Sequence, residues 1–170
     1  IPVITPVSVR RENVAGQIRA TGADLCVVAA FGQILPDDVL AATPLGCLNI
    51  HPSMLPEYRG AAPIQRCLLD GRIETGVTIM KLVTELDAGP IVAQQRVDIL
   101  PDDDARSLGH MCAVFGADML LRIIDEADRT RVIETVEQEH DKATYAPPIR
   151  KEEGLIDWAR PADEIMFQLR

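Results

Sequence analysis

The sequence predicts an α/β fold, an open and mostly parallel sheet that also contains an antiparallel hairpin. Two apolar runs, "ADLCVVAAFG" at 23–32 and "CLNI" at 47–50, flank a short helical stretch, "PDDVLAATPLG" at 36–46. Continuous apolar runs are typical of strands buried on both faces of a parallel sheet, and the order strand, helix, strand favours the α/β class. The strand-like stretches at 75–82 and 91–99 predict an antiparallel pair.

Four helices are predicted around these strands. The stretch 8–22 has apolar residues at helical spacing and ends on Gly22, and the stretch 61–71 has a proline suited to a first turn and ends on Gly71. The longest helix is predicted within 102–128, and a last one begins within 156–170. The long helix has an apolar stripe that we interpret as core packing, not as a ligand site: Leu108, Met111, Phe115, Met119, Ile123 and Ala127.

Length and composition indicate a soluble globular domain of 170 residues, 47% hydrophobic and 25% charged. No apolar run reaches the roughly eighteen residues of a membrane span, and the first residues lack the order of a signal peptide. We therefore expect a cytoplasmic protein without a membrane partner. The four cysteines are widely spaced, and they predict reduced core residues and neither a disulfide framework nor a metal site.

The net charge of −9 is unevenly distributed along the chain. Residues 1–80 carry six basic and seven acidic side chains, whereas residues 81–170 carry eleven basic and nineteen acidic ones. The second half would repel a phosphate backbone, so the chain shows no nucleic-acid binding surface of its own.

Three polar residues are expected at the carboxyl ends of the strands, where open α/β sheets collect ligands. Asn49 and His51 end the "CLNI" strand, and Asp87 lies in a loop before Gly89 and Pro90. Taken singly, each is more often a turn former or a structural residue than a catalytic one. Together they supply an amide donor, a group that titrates near neutrality and an anion beside it.

The sequence has neither a G-x-S-x-G nucleophile motif nor a glycine-rich phosphate loop. The chemistry that remains for the Asn, His and Asp set is acyl transfer to an external nucleophile, without a covalent enzyme intermediate. The prolines of "HPSMLPEYRGAAP" at 51–63 would stiffen the loop after His51, and a fixed donor needs no reorganisation during reaction.

Two stretches carry a family resemblance: "NIHPSMLPEYRGAAPIQ" at 49–65 and "ETGVTIMKLVTELDAGPIV" at 74–92. They resemble the core of the 10-formyltetrahydrofolate-dependent formyltransferases. Within that family, "YRGAAPIQ" and the later "YAPPIRKEEGLIDW" at 145–158 are most similar to the branch whose acceptor is methionyl initiator tRNA. The resemblance spans nearly the whole chain and implies a Rossmann-like sheet of the formyltransferase type.

The resemblance also implies roles for particular residues. The family's catalytic trio falls on Asn49, His51 and Asp87, and its acceptor-side loop falls on Arg59 and Gly60. The co-substrate is 10-formyltetrahydrofolate, with no metal. The implied folate contacts are Phe31, Gly32, Ile34, Leu35, Pro36, Ser53, Leu55, Pro56, Glu85, Leu86 and Asp87.

By the same resemblance, residues 1–140 form a catalytic core that lacks the family's first strands, and 141–157 form a linker. Residues 158–170 begin the connection to a C-terminal barrel, so initiator methionyl-tRNA would be bound mainly by regions outside this chain. Three alternatives stay open: formyl transfer to a small amine, either glycinamide ribonucleotide or an amino sugar; a folate hydrolase in which water replaces the amine; and a catalytically silent folate-binding remnant.

Overall fold

A four-stranded sheet with the order β1-β2-β4-β5 organises the computed structural model, which describes residues 3–170. Strands β1 and β2 pair in parallel, whereas β4 is antiparallel to both β2 and β5. Three of the four strands therefore point the same way, which confirms the mostly parallel sheet and the antiparallel hairpin. The strands are β1 (Cys26–Val28), β2 (Cys47–His51), β4 (Glu74–Lys81) and β5 (Ile91–Asp98).

The helices form where the apolar spacing predicts them. They include the short helix α2, which lies in the predicted helical stretch between β1 and β2. Helix α4 begins at Asp104, whose carboxylate accepts from the backbone N–H groups of Arg106 and Ser107, and it ends at Arg131 in a left-handed conformation. The five helices are α1 (Val14–Ala20), α2 (Asp37–Leu40), α3 (Pro63–Leu69), α4 (Ala105–Thr130) and α5 (Ala162–Leu169).

The main core lies between the sheet and one face of α4. Leu108 and Cys112 of α4 pack with Val77 and Ile79 of β4, all of them buried. By length and composition alone, α4 could also cross a membrane. Its contacts with the sheet are those of a core helix in a globular domain, as the apolar stripe predicted. Three of the four cysteines, Cys47, Cys67 and Cys112, are buried as predicted, whereas Cys26 on β1 is only half-buried.

Strand β1 is less buried than its sequence predicts. Its apolar run suggested a strand covered on both faces, but the regular strand is three residues long and Val27 is 41% exposed. The physical reason is position: among residues 3–170, β1 pairs only with β2 and forms the edge of the sheet. An apolar run therefore identified the strand without identifying its neighbours.

The segment that follows α4 is attached to the rest of the fold. Strand β6 (Tyr145–Ala146) pairs in parallel with β3 (Arg59–Gly60), which lies in the loop after β2. The guanidinium of Arg66 on α3 donates to the carboxylate of Glu153, which lies in the second of two short 3-10 helices (His140–Lys142 and Lys151–Gly154). This ion pair lowers the pKa of Glu153 to about 2. Residues 141–157, predicted as a linker, thus contact β3 and α3.

Candidate active site

A cavity of about 710 Å³ opens beyond the carboxyl ends of β1 and β2. Its walls are residues 28–35 after β1, residues 49–52 at the end of β2, and residues 82–87 between β4 and β5. Ligands of open α/β sheets bind at this edge, so the fold places the cavity where the sequence predicted a site. Helix α4 contributes three small residues to the lining: Gly109, Cys112 and Ala113.

The structure brings Asn49, His51 and Asp87 together at this cavity, and all three line it. Asn49 and His51 are two residues apart on β2, so their side chains leave the same face of the strand. His51 is 4% exposed and Asp87 9% exposed. Polar groups this deeply buried require partners, and the hydrogen bonds of His51 and Asp87 define the geometry of the site.

Tyr58 fixes the orientation of the His51 ring. Nε2 of His51 lies 2.9 Å from the backbone carbonyl oxygen of Tyr58, and because a carbonyl only accepts, Nε2 carries the proton of this hydrogen bond. The other ring nitrogen, Nδ1, lies 3.7 Å from Oδ2 of Asp87. That distance exceeds a normal hydrogen bond, so Nδ1 is the ring nitrogen left available to a ligand in the cavity.

Asp87 is held by the loop after His51. Its Oδ2 accepts from the backbone N–H of Gly60 at 2.8 Å. Two glycines allow this approach: Gly60 has φ of +120°, and a Cβ added to it would lie 2.7 Å from the Ala146 carbonyl oxygen. A Cβ on Gly89 would lie 1.8 Å from the carbonyl oxygen of Lys81. Larger residues at these positions would displace the Asp87 loop.

Strained backbone clusters around the cavity. Ala30, Tyr58 and Asp87 have φ values of +49°, +58° and +47°, in the left-handed region that residues with a side chain rarely adopt. Ala30 and Asp87 line the cavity, and Tyr58 supplies the carbonyl that orients His51. Such strain persists only where surrounding contacts impose it, and it concentrates at functional sites.

The residues predicted to contact folate divide into two groups. Six of them besides Asp87 line the cavity: Phe31, Gly32, Ile34, Leu35, Glu85 and Leu86. The structure does not bring Pro36, Ser53, Leu55 or Pro56 into the lining. Ser53 and Leu55 are buried below it, where the Ser53 hydroxyl donates to the Glu57 carbonyl and the Leu55 N–H donates to Thr78.

Arg59 and Gly60, predicted on the acceptor side, lie next to the Asp87 loop. Gly60 lines the cavity, whereas Arg59 is buried and its guanidinium donates to Gln138 and His140. No sequence pattern marks Gln138, because it lies in a mostly polar stretch without helical or strand periodicity. No periodicity marks a residue whose role depends on contacts with a loop about fifty positions away.

The cavity contains one thiol, that of Cys112. Burial raises the pKa of Cys112 to about 11, so the thiolate that would act as a nucleophile is scarce at neutral pH. Within residues 3–170, no group of three or more His, Cys, Asp or Glu side chains is arranged to hold a metal ion. The amide, imidazole and carboxylate of Asn49, His51 and Asp87, which line the cavity, are groups suited to hydrogen bonding and proton transfer.

Comparisons with known proteins agree with the fold. The family model described as "Formyl transferase" matches residues 3–124, so the chain belongs to the formyl transferase family. Its relatives include the methionyl-tRNA formyltransferase of Trichlorobacter lovleyi, 45% identical over all of this chain and 54% of that protein. The chain thus spans about half the length of the curated relatives that it matches.

Two solved structures show the same fold at lower identity. Methionyl-tRNA formyltransferase from Clostridium thermocellum has a TM-score of 0.73 and 19% identity, over 92% of this chain and 65% of that one. An N-formyltransferase from Helicobacter canadensis, in complex with folinic acid and dTDP-3-aminofucose, has a TM-score of 0.71 and 24% identity. That match covers 82% of this chain and 51% of the other.

Proposed function

We propose that this chain is the catalytic part of an enzyme that transfers a formyl group from 10-formyltetrahydrofolate to the amino group of methionyl initiator tRNA. The observation that carries the proposal is the 45% identity, over the whole chain, to a methionyl-tRNA formyltransferase. The cavity with Asn49, His51 and Asp87 at its wall supplies groups for the chemistry. Initiator tRNA is formylated for translation, so a cytoplasmic location belongs to the same proposal.

The apolar wall of the cavity suits the folate part of the donor. Phe31, Ile34 and Leu86 are between 46% and 58% exposed and line the cavity, so a flat heterocycle could cover them. The structure of the Helicobacter canadensis N-formyltransferase contains folinic acid, which supports the proposal that a protein of this fold binds a folate. The acceptor tRNA would find repulsive charge on residues 81–170, so its main contacts lie elsewhere.

In the proposed reaction, the amine nitrogen of the acceptor attacks the formyl carbon and forms a new C–N bond. The carbonyl electron pair moves to oxygen, and the resulting oxyanion is stabilised by the Asn49 amide and by protonated His51, through its Nδ1. The ring does not need to rotate, because the carbonyl of Tyr58 already holds Nε2.

Asp87 is the proposed acceptor for the proton that the attacking amine loses, directly or through a water molecule. When the intermediate collapses, the bond from the formyl carbon to the folate nitrogen breaks, and that nitrogen takes up a proton. The products are formylated methionyl-tRNA and tetrahydrofolate. The carboxylate is held for this step by the Gly60 N–H, at 2.8 Å.

In the deciding experiment, the complete reading frame that contains this sequence is expressed. The fate of the formyl group of 10-formyltetrahydrofolate is then measured in three parallel reactions that differ in the acceptor. They contain methionyl-tRNA, an amino sugar or glycinamide ribonucleotide, and no acceptor. We expect transfer to methionyl-tRNA. Transfer only to a small amine, or cleavage of the folate donor without an acceptor, would move the enzyme to another branch of the family. Folate binding without either reaction would support the silent remnant.

Substitutions in the trio test the assignment of the site. We expect Asn49→Ala and His51→Ala each to lower kcat by about two to three orders of magnitude, the typical cost of losing one oxyanion donor. His110→Ala is the matched control, because His110 is exposed on α4 and does not line the cavity. Full activity in folded His51→Ala protein would contradict the mechanism.

A further inference from the structure

Gln138 is a buried polar residue far from the motifs of the site. It is 5% exposed and lies between α4 and β6, in residues 132–139, beyond the 3–124 range that matches the family model. The backbone of this segment is anchored independently, because Val136 and Ile91 of β5 exchange two hydrogen bonds of 2.8 Å. A change confined to the Gln138 side chain therefore leaves the segment in place.

The side chain of Gln138 holds the Asp87 loop by its backbone. Its Nε2 donates to the carbonyl oxygens of Asp87, at 2.9 Å, and of Gly89, at 2.7 Å. These two carbonyls belong to the turn in which Asp87 adopts its left-handed φ of +47°. Both protons of one amide group thus bind the strained turn that carries the proposed proton acceptor.

Arg59 fixes the orientation of the Gln138 amide. Nε and one terminal nitrogen of Arg59 donate to Oε1 of Gln138, at 3.1 and 2.6 Å. Because arginine only donates, the amide oxygen must face Arg59 and the amide nitrogen must face the loop. The guanidinium also polarises the amide, which strengthens the two N–H donors on the other side.

We propose that Gln138, oriented by Arg59, is a positioning residue that holds the Asp87 carboxylate at the reacting centre. The inference rests on the proposed function, since it assigns Gln138 a part in that reaction. Without the amide, two carbonyls of a strained turn lose their donors and the turn relaxes. A displacement of about 1 Å at a reacting group can cost about a hundredfold in rate.

The first test compares Gln138→Glu with Gln168→Glu in the complete protein. Glutamate at 138 keeps the acceptor for Arg59 and removes the donor to the loop. Gln168 is a matched control, because its Nε2 also donates to two backbone carbonyls, those of Glu153 and Leu155, remote from the cavity. We expect kcat to fall 10- to 100-fold in Gln138→Glu, with KM for the formyl donor changed less than threefold, and no such fall in Gln168→Glu.

A double mutant separates positioning from general destabilisation. If Gln138 acts through Asp87, adding Gln138→Glu to Asp87→Ala should change kcat less than twofold, because the group it positions is absent. If the two substitutions instead lower kcat independently, so that the double mutant shows the product of the two single losses, the proposal is overturned. Gln138→Met, which removes the donors without adding charge, should repeat the fall in kcat if Gln138→Glu does not fold.

Hydrogen exchange gives a readout that does not require activity. The Gly60 N–H donates to Asp87, so its exchange rate reports the position of the carboxylate. We expect exchange at Gly60 to rise at least tenfold in Gln138→Glu or Gln138→Met and to stay unchanged in Gln168→Glu. Unchanged exchange at Gly60 in the Gln138 variants would refute the positioning role. If the wild-type protein transferred no formyl group, that result would refute only the proposed function.

Discussion

Two of the loops that line the cavity are held in different ways. Asp87 and the adjacent Ala88, in the loop between β4 and β5, are buried, and the turn there is tied by the Gly60 N–H and the Gln138 amide. In the loop after β1, Phe31 and Ile34 are 46% and 58% exposed. That loop is connected to the preceding chain through Gln33, which accepts from the Val9 N–H at 3.2 Å.

This difference suggests a division of labour within the cavity. Groups that stabilise developing charge act best when they are fixed beforehand, which the buried hydrogen bonds around Asp87 achieve. Apolar binding surface needs only to be covered by a ligand, and an exposed loop can adapt to it. We therefore expect changes in the buried turn at residues 87–89 to lower kcat, and changes at exposed residues of the cavity wall, such as those in the loop after β1, to raise KM.

The largest effect is expected for Asp87. Asp87→Ala removes the proposed proton acceptor, and we expect kcat to fall about 100- to 1000-fold, while the dissociation constant of the formyl donor changes little. Single-turnover kinetics and equilibrium binding measure the two quantities separately. Asp87→Asn is the control for shape, because its amide oxygen can still accept from the Gly60 N–H. A near-wild-type kcat in Asp87→Ala would show that the buried turn does not hold a reacting group, and the proposed division between the two loops would fail.

An intermediate effect is expected for Phe31. Phe31→Ala removes apolar surface that the donor would cover, so we expect KM for the donor to rise about tenfold, or about 1.4 kcal/mol, with kcat within a factor of two. Leu100→Ala is the matched control, since Leu100 is 60% exposed but does not line the cavity. A fall in kcat without a change in KM would show that the loop after β1 also positions reacting groups.

The sequence predicted those parts of the site that depend on local pattern. Asn49 and His51 could be placed because an apolar run shows where a strand ends, and the parity of a strand puts both on one face. Asp87 was expected at the same edge of the sheet, and the family resemblance implied that it joins the other two in one site, since a loop between two strands can turn in many directions. The chain's membership in the formyl transferase family confirms that resemblance.

Other parts could not be predicted because they depend on distant contacts. The exposure of Val27 follows from the place of β1 at the sheet edge, and strand order is not encoded in an apolar run. Gln138 is buried only because Arg59 and the Asp87 loop pack around it. Gly109 and Ala113 of α4 line the cavity, and the sequence indicates this only weakly: small residues four positions apart leave room beside a helix.

The smallest effect is expected at an exposed hydrogen bond that joins the loop between β4 and β5 to α2, the helix that follows the loop after β1. The hydroxyl of Thr84 donates to Oδ1 of Asp37 at 2.6 Å, and both residues are exposed. Because both groups are exposed, water can replace the lost hydrogen bond, so Thr84→Val should raise KM for the donor about two- to fivefold and leave kcat unchanged. Thr84→Ser, which keeps the hydroxyl, should match the wild type. If Thr84→Val instead lowers kcat as much as Gln138→Glu does, the contact with α2 also helps to hold Asp87, and the exposed and buried parts of its loop act as one unit.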